Sequence, residues 1–294
     1  MRAAARGDAK MVELLIPIQK EMKDKDGNLA FVHALTNKFT NTAMLLRESE
    51  APSWTPLMCA AFTGDVKTAK RHLFGKDKKN SDGDTALMIA AKAGHKKIVE
   101  LLDPTDEDGV TALMRAAEEG DTEIVKLLLP LQKGMKAEYL EIDEWEMYEG
   151  TALMIAAAYG HTEVVKLLVE KEGGLHDDVE QTALMWAAQG GHAEAVKLLI
   201  EYESGLEDNI GKTALMLAAE HGHVECVKLL VEYESGMVDE EKHWTALMFA
   251  AAYGHTECVK LLAEQEADMQ DKDRWTALDI AKREGYNDIV SLLQ

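Results

Sequence analysis

A threonine followed by Ala-Leu, or once by Pro-Leu, recurs through most of this 294-residue chain. Successive copies are 30, 26, 40, 31, 31, 32 and 31 residues apart. A period of this size is typical of repeat proteins, in which each unit is too small to bury its apolar face alone and must stack on its neighbours. The spacing therefore predicts a stack of units. The eight threonines are Thr55, Thr85, Thr111, Thr151, Thr182, Thr213, Thr245 and Thr276.

Each unit contains the pattern of two short amphipathic helices. After Thr151 come Ala156-Ala157, then Gly160-His161, then the apolar positions Val164, Val165, Leu167 and Leu168. The threonine suits a helix N-cap, because its hydroxyl accepts a hydrogen bond from a free amide of the first turn. The glycine suits a left-handed end to the first helix. Helices this short are marginal in water, so packing between units must stabilise them.

The unit Thr55-Pro56-Leu57, with Ala60-Ala61 and Gly64, resembles the ankyrin repeat, whose signature is T-P-L-H-x-A-A-x-x-G-H. The resemblance implies an all-α repeat solenoid of helix-turn-helix units with finger loops, about ten stacked units forming a curved superhelix. The unit is nearer 31 residues than the usual length of about 33. The T-A-L-M style also resembles the large ankyrin-only proteins of diplomonad protists such as Giardia. Methionine replaces the signature histidine at Met58, Met88, Met114, Met154, Met185, Met216 and Met248.

We predict a single ankyrin-repeat domain over residues 1–294. Residues 1–54 are expected to form two degenerate repeats, in which Leu29 stands where a threonine would be, and the first is truncated because the chain opens inside a repeat. Residues 55–275 form seven repeats, with a charged, partly aromatic enlarged loop at 130–150. Residues 276–294 form a polar C-terminal capping repeat, as a terminal unit in water requires.

A formal net charge of −21 makes nucleic acid and anionic lipid unfavourable partners, because both are polyanions. A basic protein is the favoured partner, and acidic finger residues at 177–180, 207–208 and 239–241 agree with that expectation. The sequence has no apolar run long enough to span a membrane and no secretory signal, so a cytoplasmic location is expected. Three cysteines cannot form a complete disulfide framework.

The sequence contains no pattern that indicates catalysis. It lacks a Walker loop, a dinucleotide-binding glycine pattern, a zinc-protease motif and a Ser, His and Asp constellation. The recurring histidines are interpreted as structural residues at the start of each second helix, since equivalent positions of stacked helices lie too far apart to share an ion. We therefore expect no enzyme activity, cofactor or metal site. The histidines are His95, His161, His192, His223 and His255.

Aromatic residues at the variable positions of the repeats are the candidates for partner binding, since Trp and Tyr dominate interface hot spots. The resemblance places the residue before each threonine in a finger loop and the residues just before each glycine at a further contact position. Trp244, Tyr253 and Trp275, with His221 one unit earlier, are predicted to form one patch. The alternative is that each Trp braces its own finger. The full candidate set is Trp54, Phe62, Tyr159, His221, Trp244, Tyr253 and Trp275.

The predicted function is a monomeric scaffold or adaptor that holds a partner protein through its finger loops and concave helix surface. The sequence leaves two alternative functions open. One is the regulatory or targeting portion of a larger enzyme, such as a protein kinase, suggested by the start inside a repeat. The other is a cytoskeleton-associated structural protein.

Overall fold

A computed structural model describes residues 1–19, 22–142 and 145–294. Within these residues the chain folds into twenty α-helices, arranged along the sequence as ten consecutive pairs. This organisation confirms the predicted all-α repeat fold and the count of about ten units. The chain divides into two compact units, Met1–Thr105 and Asp106–Gln294.

The first unit contains four helix pairs. Each pair packs on its neighbour along the sequence. The helices are α1 (Arg2–Ala5), α2 (Ala9–Gln19), α3 (Ala30–Thr36), α4 (Thr40–Glu50), α5 (Pro56–Thr63), α6 (Val66–Arg71), α7 (Ala86–Lys92) and α8 (Lys96–Leu102).

The second unit contains six helix pairs and one two-stranded sheet. First helices pack on first helices and second helices on second helices of the adjoining pair. The elements are α9 (Ala112–Glu118), α10 (Thr122–Gln132), β1 (Leu140–Ile142), β2 (Trp145–Met147), α11 (Ala152–Ala158), α12 (Thr162–Glu172), α13 (Ala183–Gln189), α14 (Ala193–Glu203), α15 (Ala214–Glu220), α16 (Val224–Glu234), α17 (Ala246–Ala252), α18 (Thr256–Glu266), α19 (Ala277–Glu284) and α20 (Asn287–Leu293).

The repeated threonine is the N-cap of the first helix in the last eight of the ten pairs, as predicted. At seven of the eight positions its hydroxyl accepts a hydrogen bond from the amide three residues on, as in the 3.1 Å bond from Met58 N to Thr55 Oγ1. Thr182 is the exception. In the degenerate second repeat the N-cap of α3 is Leu29, which has no hydroxyl and makes no side-chain cap.

The Gly-His dipeptide joins one pair to the one before it. His192 Nε2 donates to the carbonyl oxygen of Ala158 at 2.8 Å, and His223, His161, His255 and His95 make the equivalent bond at 2.8 to 3.1 Å. The ring also lies against a glycine of the earlier pair: a Cβ on Gly120 would come within 2.8 Å of His161 Nδ1. These bonds assign the recurring histidines a structural role.

A second set of links, which the sequence did not suggest, uses buried side chains at the ends of the second helices. Glu203 Oε2 accepts from Leu184 N of its own pair at 2.7 Å, and its Oε1 accepts from Gly174 N in the loop of the preceding pair at 2.9 Å. Glu172, Glu234 and Glu266 repeat both bonds. We call these four residues the glutamate ladder. Burial raises the pKa of the carboxyl group of Glu172, Glu203 and Glu234.

The segment predicted as an enlarged loop at 130–150 is more ordered than a loop. Its first three residues belong to α10, which ends at Gln132. Strands β1 and β2 then pair antiparallel, with Leu140 opposite Met147, Glu141 opposite Glu146 and Ile142 opposite Trp145. Ile142 and Met147 are buried, so one face of this hairpin packs onto the repeats. Asp143 and Glu144, which contributed to the charge of the predicted loop, lie outside the described residues.

The two terminal repeats differ in surface character. In α2 the apolar side chains of Met11, Leu14 and Ile18 are exposed, whereas α19 exposes Lys282 and Arg283. In the part of the chain that the structure describes, no helix has the length and apolar character needed to cross a bilayer.

Candidate partner-binding surface

Three of the loops that precede the repeated threonines are tight turns held by a buried aspartate. Asp177 Oδ1 accepts from Val179 N at 3.0 Å and Gln181 N at 2.8 Å, and Asp208 makes the same pair of bonds with Ile210 and Lys212. Asp177, Asp208 and Asp239 are therefore turned into their own loops and almost fully buried. The prediction that the acidic finger residues face a basic partner is wrong for these three, because their side chains are buried.

Each loop is also bonded to the next along the second unit. Asn209 N donates to Val179 O at 2.9 Å, Glu240 N to Ile210 O at 2.9 Å, and Lys272 N to Lys242 O at 3.1 Å. We call these loops the fingers, and we call the surface formed by the fingers and the carboxyl ends of the first helices the finger side. Linked fingers form a pre-organised surface, so little conformational entropy would be lost when a partner binds it.

A groove of about 330 Å³ opens on the finger side of the last three repeats. Its walls are two fingers and the carboxyl ends of α15, α17 and α19. The lining residues are Ile210, Lys212, Glu220, Asp239, Glu241, Lys242, Trp244, Phe249, Ala252, Tyr253, Arg283 and Glu284.

Cations lie over aromatic rings along this groove. Lys212 Nζ is 4.7 Å from the centroid of the Phe249 ring and 2.7 Å from Glu220 Oε2, and Lys242 Nζ is 4.6 Å from the Trp244 ring. At the edge of the groove the Arg283 guanidinium lies 5.0 Å from the Trp275 ring. Each contact contributes about 0.5–1 kcal/mol at an exposed site, so the rings and cations hold one another in place.

Tyr253 presents the largest exposed aromatic surface in the groove, with 52% of the residue accessible. Burial of the rest raises the pKa of its hydroxyl, and the charge and hydrogen bond of Glu220 raise it further. The hydroxyl is therefore protonated at neutral pH and can donate a hydrogen bond. Trp275 does not line the groove itself; it is 38% exposed and adjoins the groove through its contact with Arg283.

Trp244 does not present its ring as a binding surface. It is only 8% exposed, packs edge-on against Phe249 at 5.3 Å between ring centroids, and donates from Nε1 to Asp271 Oδ2 at 3.2 Å. These contacts fix the finger, which is the bracing role that the sequence left as the alternative. Of the residues in the predicted patch, Tyr253 and Trp275 have accessible rings, whereas Trp244 braces its own finger.

The other candidates lie elsewhere. Trp54 and Phe62 are half-buried in the first unit, where Trp54 packs edge-on against Phe31 at 5.2 Å and against Phe62 at 6.1 Å. Tyr159 is half-buried and stacks on His161 with the ring centroids 6.1 Å apart. These three side chains support local packing.

His221 packs against the hairpin. Its ring lies edge-on to Trp145 at 6.2 Å, and Trp145 also packs at 6.1 Å against Trp186, a core residue that is 3% exposed. No sequence pattern indicates this contact, because Trp145 lies in an insertion whose path the repeat pattern does not determine. The sequence indicates the cationic groove residues only weakly. Lys212 directly precedes its repeat threonine, which is the position that Trp244 and Trp275 occupy in later repeats.

The described residues contain no group of three or more His, Cys, Asp or Glu side chains placed to hold a metal ion. The three cysteines are buried free thiols, and burial raises the pKa of Cys59 to about 12 and of Cys226 and Cys258 to about 11. They are therefore protonated and poorly nucleophilic at neutral pH.

A comparison with protein families matches a model described as ankyrin repeats (3 copies) to overlapping stretches of the chain. The matched residues are 1–71, 57–139, 102–174, 138–202, 153–241 and 232–294. A search of curated proteins found no match to the chain.

Proposed function

Because the chain belongs to the ankyrin-repeat family, whose members generally mediate protein–protein interactions and are typically non-enzymatic, we propose that it is a scaffold or adaptor that binds a partner protein on its finger side. We place the main contact at the groove of the last three repeats. The observation that carries this choice is the exposure of Tyr253 and Trp275 beside a groove of about 330 Å³ on fixed fingers. Rigid aromatic side chains of this kind supply much contact area at a small entropic cost.

The charge of the chain supports a partner with basic character. Asp178, Glu180, Glu207, Glu240 and Glu241 remain exposed on the fingers. A net charge of −21 steers cationic proteins toward the chain and repels nucleic acids. We propose that the protein acts as a monomer in the cytoplasm, with association with the cytoskeleton as one setting, and that it is similar to the ankyrin-only proteins of diplomonads. No specific observation favours the alternative that the chain is the regulatory portion of an enzyme.

The experiment compares the proteins captured from lysate of the source cells by wild type and by two double variants. Tyr253→Ala/Trp275→Ala removes the accessible rings of the groove. Tyr202→Ala/Tyr233→Ala is the matched control, because these tyrosines are 47% and 57% exposed, lie on the second helices α14 and α16, and do not line the groove. We expect specific partners to be lost with the first variant and kept with the second.

Circular dichroism and thermal melting of both variants must show an intact fold. If the same partners survive both substitutions, the groove assignment is wrong. If the partners are lost only with the control, binding belongs to the second helices.

A further inference from the structure

The two compact units carry opposite charge. Residues 1–105 contain 17 Lys and Arg against 13 Asp and Glu, whereas residues 106–294 contain 15 against 40. The net charge of −21 therefore comes from the second unit, and the first unit is weakly cationic. The whole-chain charge, which makes anionic lipid an unfavourable partner, does not describe the first unit.

The division is sharpest at one position of the second helices, three residues after the positive-φ residue that follows each first helix. All six second helices of the second unit carry an acidic residue there. None of the four second helices of the first unit does. The residues at this position are Lys10, Asn41, Lys67 and Lys97 in the first unit, and Glu123, Glu163, Glu194, Glu225, Glu257 and Asp288 in the second.

In α6 the exchange of an acid for a base is unfavourable for the helix itself. In the second unit the acid pairs with the lysine three residues on, as in the 2.7 Å contact between Glu225 Oε1 and Lys228 Nζ. In α6 the same two positions hold Lys67 and Lys70, and both side chains are exposed. A cation in the first turn opposes the helix dipole, and like charges at this spacing repel each other. This local cost favours a role for the two lysines in binding rather than in folding.

The segment that follows α6 adds further cations and an exposed apolar pair. α6 ends at Arg71 after six residues, whereas α12 has 11. Leu73 is then 40% exposed and Phe74 is 96% exposed. The backbone here is ordered by a turn, in which Lys78 N donates to Gly75 O at 3.1 Å. We call residues 67–79 the cationic segment. Its six exposed cations are Lys67, Lys70, Arg71, Lys76, Lys78 and Lys79, and its one acidic residue is Asp77.

The charges of the cationic segment are available to a ligand. Within the residues that the structure describes, none of the six cations forms an ion pair with a carboxylate. The nearest acid in the sequence before them, Asp65, is instead turned to its own helix, where its carboxylate accepts from Thr68 N at 3.0 Å and from Thr68 Oγ1 at 2.7 Å. The segment therefore presents unpaired positive charge around two apolar side chains.

An anionic bilayer fits this combination better than a nucleic acid or a protein does. The interface of a bilayer accepts protruding apolar side chains without a pre-formed hollow, and its headgroups attract the surrounding cations. A nucleic acid can stack a base on Phe74, but it offers no apolar surface to the adjacent Leu73. A protein would need a cavity shaped for both side chains.

We infer that the cationic segment docks the chain on an anionic lipid bilayer, with Phe74 and Leu73 entering the interface and the six cations meeting the headgroups. Charges act on a surface over about a Debye length, roughly 8 Å at physiological ionic strength, so the segment governs this contact and the charge of the whole chain does not. The attachment is shallow and reversible, because two apolar side chains and a basic cluster bind far more weakly than a membrane-spanning helix. The inference goes beyond the proposed function, since it uses no residue of the groove.

The test is sedimentation of the full chain with vesicles of phosphatidylcholine and phosphatidylserine in a three-to-one ratio, with pure phosphatidylcholine vesicles as the uncharged reference. We expect binding to the anionic vesicles alone, and weaker binding as the salt concentration rises. Lys76→Glu/Lys78→Glu should weaken binding by about twentyfold or more, since each cation near an anionic surface contributes about fivefold. Lys197→Glu/Lys228→Glu is the matched control, because it changes the net charge equally on exposed positions of the second unit and should leave binding unchanged.

Insertion is measured with an environment-sensitive fluorophore attached to Phe74→Cys. The three native cysteines are buried, so the new thiol is the accessible one. Anionic vesicles should shift the emission to shorter wavelength at position 74, and not in a labelled Tyr233→Cys control, which is exposed in the second unit. Phe74→Ala should fold as wild type does and bind vesicles about tenfold more weakly, because it loses the apolar side chain that enters the interface.

The inference is overturned if the chain does not sediment with anionic vesicles, or if Lys197→Glu/Lys228→Glu loses as much binding as Lys76→Glu/Lys78→Glu. Unchanged emission at position 74 in the vesicle-bound chain would also contradict it.

Polyuridylate tests the nucleic-acid alternative. If wild type binds polyuridylate more tightly than anionic vesicles and Lys76→Glu/Lys78→Glu abolishes that binding, the segment is a nucleic-acid site and the lipid assignment is wrong. The groove variant Tyr253→Ala/Trp275→Ala should bind vesicles as wild type does. Failure of the vesicle experiment therefore leaves the proposed function standing, and loss of protein partners by the groove variant is read independently of lipid binding.

Discussion

For single residues, the structural role of one amino-acid type depends on the repeat position that it occupies. Asp177 is enclosed by its own turn, whereas Asp178 is exposed. Trp244 braces a finger, whereas Trp275 keeps an accessible ring. In the proposed binding mode, partner recognition depends on the residues that the turns leave exposed, and aromatic or acidic content alone does not identify them.

Substitution of Gly120 tests how much the close contact between Gly120 and His161 contributes to stability. Its φ is +70°, and a Cβ would come within 2.8 Å of His161 Nδ1. Gly134 is the matched control, with φ +69° and open space around its Cβ position. Both substitutions to Ala strain the backbone, by about 1–3 kcal/mol, but only Gly120→Ala must also displace the imidazole. Urea unfolding should show a larger loss for Gly120→Ala; equal losses would mean that the histidine contact is unimportant.

The glutamate ladder gives stability a specific dependence on pH. Because burial raises the folded-state pKa of Glu172, Glu203 and Glu234 above the ordinary 4.5, the folded state binds more protons than the unfolded state at pH values above 4.5. Their contribution to stability therefore falls as pH rises from 4.5 through the raised pKa values. Replacing all three by Gln removes this fall. Urea unfolding across that range should show the free-energy difference moving in favour of the variant as pH rises; a constant difference would contradict the assignment.

At the scale of elements, short helices depend on their first turn and on their neighbours. The hydroxyl of Thr245 accepts a hydrogen bond from Met248 N at the start of α17, which carries Phe249 and ends beside Tyr253. Loss of an N-cap bond typically costs about 1 kcal/mol.

Thr245→Val should therefore lower the free energy of unfolding by about 1 kcal/mol, since it removes the hydroxyl and keeps the shape. Thr245→Ser keeps the hydroxyl and serves as the control. Chemical denaturation followed by circular dichroism measures both. A serine variant as unstable as the valine variant would show that packing of the methyl group, and not the cap, is what the threonine contributes.

The sequence predicted the elements that local chemistry determines. The threonine caps, the positive-φ glycines and the ten helix pairs follow from residues within one repeat. It did not predict the glutamate ladder. A buried ladder residue such as Glu203 and an exposed residue such as Glu201 are both glutamates, so residue type alone does not distinguish them. The contact of Trp145 with Trp186 was equally hidden, since it joins residues 41 positions apart through an insertion that interrupts the period. Long-range contacts outside the repeat register have no local signature.

At the scale of the whole molecule, the excess of negative charge governs how partners approach. A net charge of −21 is spread over the 294-residue chain, and several of its carboxylates lie on exposed finger positions. Attraction between such surfaces and a basic partner acts over about a Debye length, roughly 8 Å at physiological ionic strength. Salt should therefore affect the rate of association more than the rate of dissociation.

Consider a partner whose capture depends on Tyr253 and Trp275. Its association rate should fall by about tenfold or more from low to high ionic strength. Surface plasmon resonance at several salt concentrations separates the two rates. Acceleration of association by salt would mean that the partner is acidic, and the cations Lys212, Lys242 and Arg283 would then be the groups that attract it.

The proposed function requires that the groove of the last three repeats contacts a partner protein in the cell. Site-specific photo-crosslinking tests it most directly, with a photoreactive phenylalanine analogue in place of Tyr253 in one protein and of Tyr233 in another. We expect crosslinked partner proteins from position 253 and none of the same proteins from position 233. Crosslinks of equal yield from both positions, or from position 233 alone, would contradict it.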